Sequence, residues 1–112
     1  MKSTNKTWDY LPNTDIHLYQ RKDMFRMNTD TALLGNFMKV KKGESVVDMG
    51  CNNGALLLYA SRFEPNKMIG IDVFEEACEL ACENMIQNHL SNVEIIVSDV
   101  KDVVISKVDV VV

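Results

Sequence analysis

The chain has 112 residues, of which 46% are hydrophobic, so it has the length and apolar content of one globular domain and not of two. Its formal net charge of −4 is unevenly distributed, because residues 1–42 carry eight Lys/Arg and four Asp/Glu whereas residues 43–112 carry four and twelve. A basic amino-terminal segment predicts either a phosphate-facing surface or only a solvated face. No apolar run reaches membrane length, and the start of the chain lacks a signal-peptide core.

The three cysteines fit no disulfide framework, which favours a reducing compartment, and we predict a soluble, cytoplasmic protein. Cys78 and Cys82 are four residues apart on a predicted helix and could share one face. Zinc would need two further ligands at a suitable spacing, and none is present, so no metal site is predicted.

The amino-terminal part is predicted to contain a polar arm, a hairpin and a helix. Residues 1–14 look like a loosely held arm. Apolar and polar residues alternate over 16–20, which suits a strand, and residues 24–27 would return as the second strand of a hairpin. Asn28-Thr29-Asp30-Thr31 offers side chains that cap a helix, and the apolar spacing that follows predicts a helix over 30–39.

The central stretch has the pattern of half a nucleotide-binding sheet. An apolar strand over 45–49 leads into Gly50-Cys51-Asn52-Asn53-Gly54, which reads as a turn. The following helix is apolar almost all round, so we expect it to be buried, and Pro65 should stop it. The next strand, over 68–72, ends in Asp72, and Gly70 within it suggests close packing.

The remaining elements extend this pattern. Glu75 and Glu76 should lie in the first turn of a third helix that ends near residues 89–92. Its predicted inner stripe is Ala77, Leu80, Ala81, Met85 and Ile86. Strands are predicted over 93–97 and 108–112. Strands that alternate with helices predict an α/β fold with a doubly wound, Rossmann-like parallel sheet, truncated after its fourth strand.

The glycine turn discriminates between cofactors. The dinucleotide fingerprint needs glycine at the position of Asn52, and Asp48 would bring a carboxylate towards a pyrophosphate, which is electrostatically unfavourable. A cofactor that carries an ammonium group and no phosphate would instead gain from Asp48. A nicotinamide-dependent oxidoreductase is therefore only a third candidate.

Three segments together resemble the class I S-adenosylmethionine-dependent methyltransferases: residues 46–54, Ile71-Asp72 and Ser98-Asp99-Val100. The resemblance covers the chain from about residue 16 to its end. More narrowly, residues 21–38 resemble the bacterial transfer-RNA adenine methyltransferases that modify the base beside the valine anticodon. This resemblance implies S-adenosylmethionine as cofactor and transfer RNA as partner.

The resemblance implies roles for the first motif. Asp48, Gly50 and Gly54 would lie near the methionine part of the cofactor, with Asp48 near its ammonium. Asn52 departs from the glycine usual there, although asparagine tolerates positive φ. Asn28-Thr29-Asp30 matches a motif in which Thr29 and Asp30 help to cover the methionine end, and a simple helix cap is the alternative.

It also implies roles at the later strand ends. Asp72 would accept hydrogen bonds from both ribose hydroxyls, with Val73 beside the adenine. Asp99 would accept from the adenine amine, and Val100 would offer it a backbone N–H. For Asp72 alone a helix cap is an equal alternative, but acids at three successive strand ends favour a ligand site.

The implied chemistry follows the fourth strand in an Asn-Pro-Pro-aromatic loop, which would orient the target amine. The only prolines are Pro12 and Pro65, so this chain lacks that loop and no catalytic residue is predicted. We therefore expect residues 1–42 to form an arm, hairpin and helix, and residues 43–112 a partial cofactor-binding domain. The parent enzyme would methylate an adenine exocyclic amine in transfer RNA.

The alternative is a non-catalytic remnant that binds cofactor or RNA and associates with itself. The apolar strand predicted over 108–112 would be an edge, and exposed edges pair readily with another chain. We predict self-association through the strand from Val108 to Val112.

Overall fold

The computed structural model of the protein describes residues 6–24, 26–99 and 109–112. The described residues form six strands and three helices, in the chain order β1 (Lys6–Tyr10), β2 (His17–Arg21), α1 (Thr29–Phe37), β3 (Ser45–Met49), α2 (Ala55–Ser61), β4 (Lys67–Asp72), α3 (Glu75–Gln87), β5 (Val93–Val97) and β6 (Val110–Val111). Val100, Phe25 and Val108, which the sequence-based predictions used, lie outside the described residues. Within the described ranges no helix is both long and apolar enough to cross a bilayer.

Four strands form a parallel sheet in the order β5-β4-β3-β6. β3 pairs with β4 on one side and with β6 on the other. The inner strands are continuous apolar runs because helices and loops cover both of their faces; Val46, Val47, Met68 and Ile71 are fully buried. The predicted α/β class with a parallel sheet is confirmed.

The helices follow their apolar patterns closely. α2 is buried on nearly all sides, as predicted, and ends at Ser61, four residues before Pro65. Glu75 and Glu76 lie in the first turn of α3, also as predicted. Ile86 was expected in the inner stripe of α3 but is 70% exposed, because one residue beyond Met85 rotates about 100° off the buried stripe.

The predicted hairpin exists, but its predicted second strand was wrong. β2 pairs antiparallel with β1, which precedes it, and Met24, Arg26 and Met27, the described residues of the predicted second strand, lie in no strand. The connecting turn is closed by a hydrogen bond from the N–H of Leu11 to the carbonyl of Ile16 (2.9 Å), and Leu11 is fully buried. Residues 6–11 are therefore not a loose arm. The pattern was missed because Thr7 and Asp9, on the inner face of β1, are polar.

α1 begins and ends within two residues of its predicted bounds. Asn28 caps it, since its side-chain oxygen accepts from the N–H of Thr31 at 3.0 Å. Gly70 is packed as expected: a Cβ there would lie 2.7 Å from Leu57 Cδ1 and 3.0 Å from Cys51 Sγ. This close approach presses the glycine turn against β4.

Candidate functional site

The turn after β3 is held against the end of β4 by main-chain hydrogen bonds. The N–H groups of Gly50 and Cys51 both donate to the carbonyl of Ile71, at 2.7 and 2.9 Å. Gly50 and Asn52 have φ of 80° and 48°, in the left-handed region. Asparagine adopts this region more readily than most other non-glycine residues, so Asn52 is compatible with the conformation that the turn requires.

Asp72, at the end of β4, joins the glycine turn to the start of α3. Its Oδ2 accepts from the N–H of Asn52 at 2.9 Å, and its Oδ1 accepts from the N–H of Phe74 at 3.0 Å. A carboxylate offers about four lone-pair positions, so these two bonds leave acceptor capacity for a ligand. The capping interpretation and the ligand interpretation of Asp72 are therefore compatible.

A cleft of about 350 Å³ opens at the carboxyl ends of β3, β4 and β5. The residues that line it are Gly50, Asn52, Asp72, Val73, Phe74, Ser98 and Asp99. The structure thus brings together five of the residues that the sequence singled out. Phe74 and Ser98 were not among them, although both adjoin a predicted site residue in the chain. The exposed side chains of Val73 and Phe74 supply an apolar wall.

A smaller cavity of about 50 Å³ adjoins this cleft and shares Gly50 and Asn52 with it. Asp48, Asn53 and Thr31 also line it. Thr29 and Asp30, the residues singled out in this part of the chain, are exposed on the first turn of α1 and line neither cavity. Gly54 lines neither cavity either, and serves as the left-handed N-cap of α2.

Asp48 is the most perturbed acid of the site. Its side chain is only 3% exposed, and burial raises its pKa to about 7, with a smaller contribution from the negative charge of Asp72. The raised pKa makes the protonated form of Asp48 accessible near neutral pH. A cation placed in the small cavity would favour the ionised form.

Asn53 carries a buried donor without a partner among the described residues. Its Oδ1 accepts from the N–H of Ala55 at 3.1 Å, which fixes the orientation of the amide. Its Nδ2 is buried and makes no hydrogen bond. An unsatisfied buried donor costs about 1–3 kcal/mol, so this position favours a ligand or water that can accept.

Asn84, in α3, is fully buried and connects three parts of the molecule. Its amide pairs with both main-chain groups of Tyr19 in β2: Oδ1 accepts from the N–H at 2.6 Å, and Nδ2 donates to the carbonyl at 3.0 Å. The same Nδ2 donates to the carbonyl of Asn53 at 2.8 Å. The signal for it was present in the sequence, since Asn84 lies within the otherwise apolar stripe of Leu80, Ala81 and Met85.

The two buried cysteines are not activated for nucleophilic chemistry. Burial raises the pKa of the Cys51 and Cys78 thiols, which keeps them protonated. In the part of the chain that the structure describes, no three metal-binding side chains cluster.

The comparisons with known proteins agree with this geometry. The family model for ribosomal protein L11 methyltransferase (PrmA) matches residues 28–112, most of the chain. The chain belongs to this methyltransferase family. The class-level resemblance predicted from residues 46–54, Asp72 and Asp99 is thereby confirmed.

Curated relatives carry two different acceptor names. The ribosomal protein L11 methyltransferase of Caldanaerobacter subterraneus is 42% identical over 73 residues, which are 65% of this chain and 24% of that protein. The tRNA1(Val) (adenine(37)-N6)-methyltransferase of a Flavobacteriaceae bacterium is 32% identical over 74 residues, 65% of this chain and 32% of that protein. The chain thus spans a quarter to a third of the length of these relatives.

Solved structures agree on the fold. Trm5b from Pyrococcus abyssi superposes with a TM-score of 0.79 at 19% identity, over 96% of this chain and 32% of that one. TYW2 from M. jannaschii, in complex with AdoMet, gives 0.73 at 20% identity, over 88% of this chain and 46% of that one. At this identity the likeness establishes a shared Rossmann-like fold that includes the amino-terminal hairpin region.

Proposed function

We propose that this chain forms the S-adenosylmethionine-binding part of a methyltransferase whose acceptor is an adenine exocyclic amine in transfer RNA. The observation that supports it best is the convergence of three acids, Asp48, Asp72 and Asp99, on one edge of the parallel sheet. Ligands bind at this edge in open α/β sheets. Membership of a methyltransferase family favours methyl transfer over a non-catalytic remnant.

The larger cleft suits the adenosine part of the cofactor. Asp72 keeps lone pairs that would accept hydrogen bonds from the two ribose hydroxyls. The main chain beside Asn52 lies at the cleft, and no bulky side chain separates the two. Val73 and Phe74 offer apolar surface to the adenine ring, and Asp99, which also lines the cleft, would accept from its amine. Val100 remains our proposed source of a main-chain N–H for the same ring.

The smaller cavity suits the amino-acid part. An ammonium beside Asp48 would convert it to its ionised form, and the unpaired amide of Asn53 would find an acceptor in a carboxylate or a bridging water. Thr31 lies on the wall of this cavity, and we propose that Thr29 and Asp30, in the same first turn of α1, help to cover it. The turn glycines Gly50 and Gly54 let the main chain approach closely.

When bound, S-adenosylmethionine supplies an activated methyl group on a sulfonium, so the residues of the protein need only bind and orient. The 112 residues contain no Asn-Pro-Pro sequence to orient an acceptor amine. We therefore expect this chain on its own to bind the donor without transferring its methyl group.

Two acceptors are in competition. The resemblance of residues 21–38, the transfer-RNA relative and the basic amino-terminal segment support an adenine in transfer RNA. The family model supports ribosomal protein L11 as the second candidate. We propose that residues 1–42 contribute to the acceptor side and residues 43–112 to the donor side, and that the protein acts in the cytoplasm.

Titration calorimetry with S-adenosylhomocysteine, the demethylated cofactor, tests the donor site. Asp72→Asn keeps an oxygen that can accept from Asn52 or Phe74 but removes the charge. Because a charge-assisted hydrogen bond contributes about 1.5–3 kcal/mol, we expect the affinity to fall about tenfold to hundredfold.

Asp109→Asn is the matched control. Asp109 also accepts a main-chain N–H, that of Ser45 at 2.8 Å, but at the opposite end of the sheet. Its replacement should leave the affinity unchanged. Equal affinities for the wild-type protein and Asp72→Asn would overturn the site assignment.

A further inference from the structure

The outer face of the hairpin carries four neighbouring rings, which we call the aromatic face: Trp8, Tyr10, His17 and Tyr19. Trp8 stacks on His17 with ring centroids 5.5 Å apart and planes 11° from parallel, and lies 4.6 Å from Tyr19. Tyr10 lies 6.5 Å from His17. The strand register places the four as two cross-strand pairs on one side of the hairpin.

The hairpin is also held by contacts on its inner side. Leu11 and Leu18 are fully buried on the inner side, and Asn84 holds β2 through its main chain. Cross-strand aromatic pairs do stabilise a hairpin, by about 0.2–1 kcal/mol each. Trp8 nevertheless stays 49% exposed and Tyr10 61% exposed, so broad ring surface faces outward. A contiguous aromatic surface on strands is suited to stacking on a planar partner.

The aromatic face runs towards the candidate donor site. β2 lies antiparallel to α3: the carbonyl of His17 accepts from Asn88, just beyond the carboxyl end of α3 (2.8 Å). At the other end, Arg21 pairs with Glu76 in the first turn of α3 at 3.2 Å. That turn borders a second cavity, and Asn52 lines both this cavity and the cleft. An extended partner chain laid along the aromatic face would therefore lead to the edge of the sheet that carries the candidate donor site.

The positive charge available to an anionic partner lies at one end of the aromatic face, beyond β2. Glu83 is paired with Lys6 at 2.8 Å, and Arg21 is shared by Glu76 and Asp23. Lys6 Nζ also lies 4.6 Å above the ring of Tyr19. Glu75 and Glu79 line a different groove. The exposed Lys22 and Arg26 add positive charge just beyond the end of β2.

We propose that the aromatic face binds unpaired RNA bases by stacking and guides the strand towards the cofactor edge. This rests on the proposed function, because it names the surface by which the acceptor would be held. Every base presents a π-face, so the surface would favour single strands over duplex with little sequence preference. The neighbouring cations would contact phosphates and make the binding salt-dependent.

Trp8 is the only tryptophan of the chain, so its fluorescence reports directly on the face. We expect a 12-nucleotide single-stranded oligoadenylate to quench it with saturation, and a duplex of the same length to bind more weakly. Tyr10→Ala should lower the affinity for labelled oligoadenylate, measured by anisotropy, about tenfold, whereas Tyr10→Phe should retain it, since stacking needs the ring and not the hydroxyl.

Phe37→Ala provides the matched control, because Phe37 is 76% exposed but lies on α1, outside the face. It should bind oligoadenylate as the wild type does. An unchanged Trp8 emission at saturating RNA, an unchanged affinity in Tyr10→Ala, or quenching of Trp8 by ribosomal protein L11 instead of RNA would overturn the proposal. S-adenosylhomocysteine affinity, measured in parallel, should be the same in Tyr10→Ala and wild type. Its absence in the wild type would count against the donor site and not against the RNA surface.

Discussion

At the scale of single residues, the site separates two carboxylates by their surroundings. Asp48 and Asp72 end adjacent parallel strands and both are nearly inaccessible to water. Asp72 accepts hydrogen bonds from two main-chain N–H groups. Burial, and to a smaller extent the negative charge of Asp72, raises the pKa of Asp48 to about 7. An acid of this kind is suited to a cationic ligand, because the ligand supplies the charge that the apolar surroundings do not.

The raised pKa of Asp48 predicts a stability that depends on pH. The folded protein holds this proton up to about pH 7, whereas the ordinary pKa of an aspartic acid is 3.8. Unfolding therefore releases a proton between these limits, and stability falls as the pH rises through them. Asp48→Asn removes the free-energy cost of ionising a buried carboxyl group. We expect the variant to exceed the wild type in free energy of unfolding by about 1–4 kcal/mol at pH 8 and to match it near pH 4.

Urea unfolding at both pH values measures this difference, with the exposed acid variant Asp30→Asn as the control. A wild type and an Asp48→Asn variant that run parallel across the whole pH range would contradict the prediction.

At the scale of elements, helix α1 is seated on α2 through one glycine. A Cβ on Gly35 would lie 2.2 Å from Cδ2 of Tyr59, whose ring is fully buried. The ring cannot swing away freely, because its hydroxyl donates to the carbonyl of Pro12 at 3.2 Å. The carbonyl of Gly35 also accepts from Arg62 at 2.7 Å. The position of α1, and with it that of Thr31 at the small cavity, depends on this contact.

Gly35→Ala sets two effects against each other. Alanine is favoured over glycine within a helix by about 1 kcal/mol, but overpacking a well-filled contact typically costs about 1–3 kcal/mol. Since the clash is with a pinned ring, we expect the clash to dominate and thermal unfolding to occur at a lower temperature. Ala32→Gly, in the same helix, measures the propensity effect alone. An unchanged or raised unfolding temperature in Gly35→Ala would show that the ring yields.

At the scale of the whole molecule, one sheet carries the candidate site and a separate hairpin packs beside it. Among the contacts that hold the hairpin, the buried amide of Asn84 joins β2 directly to the glycine turn, so it connects the aromatic face to the donor site. β6 forms the far edge of the sheet, and in the described part of the chain no strand lies against its outer side. Val111, on this strand, is 61% exposed.

Self-association through this edge remains our prediction for the 112-residue chain. We expect the sedimentation coefficient of the wild type to rise with concentration, because an open apolar strand pairs readily with another chain. Val111→Lys should reduce the association, since a lysine on an edge strand opposes pairing. Ile86→Lys, which changes an equally exposed apolar residue on α3, should leave it intact. A wild type that stays monomeric at high concentration would refute the prediction.

The parallel core was predictable because its signals are local. Buried strands such as β3 and β4 are continuous apolar runs, and α2 and α3 show helical spacing, so the order of elements and the strand ends that carry Asp48, Asp72 and Asp99 followed from the residues alone. Parallel strands then place these acids at one edge without further information. Asn52 and Asp48 in the same turn disfavoured a dinucleotide, and the resemblance to a known family then implied S-adenosylmethionine.

Other features depended on contacts between residues distant in the chain. The partner of β2 was mistaken because the inner side of β1 is polar, and its pairing depends on how Leu11 and Asn84 are packed. The unpaired amide of Asn53, the place of Thr31 beside the small cavity and the raised pKa of Asp48 arise from burial, which no local pattern specifies. Periodicity reports which face of an element is covered, whereas the fold alone specifies what covers it, and desolvation and hydrogen bonding at the site depend on that covering.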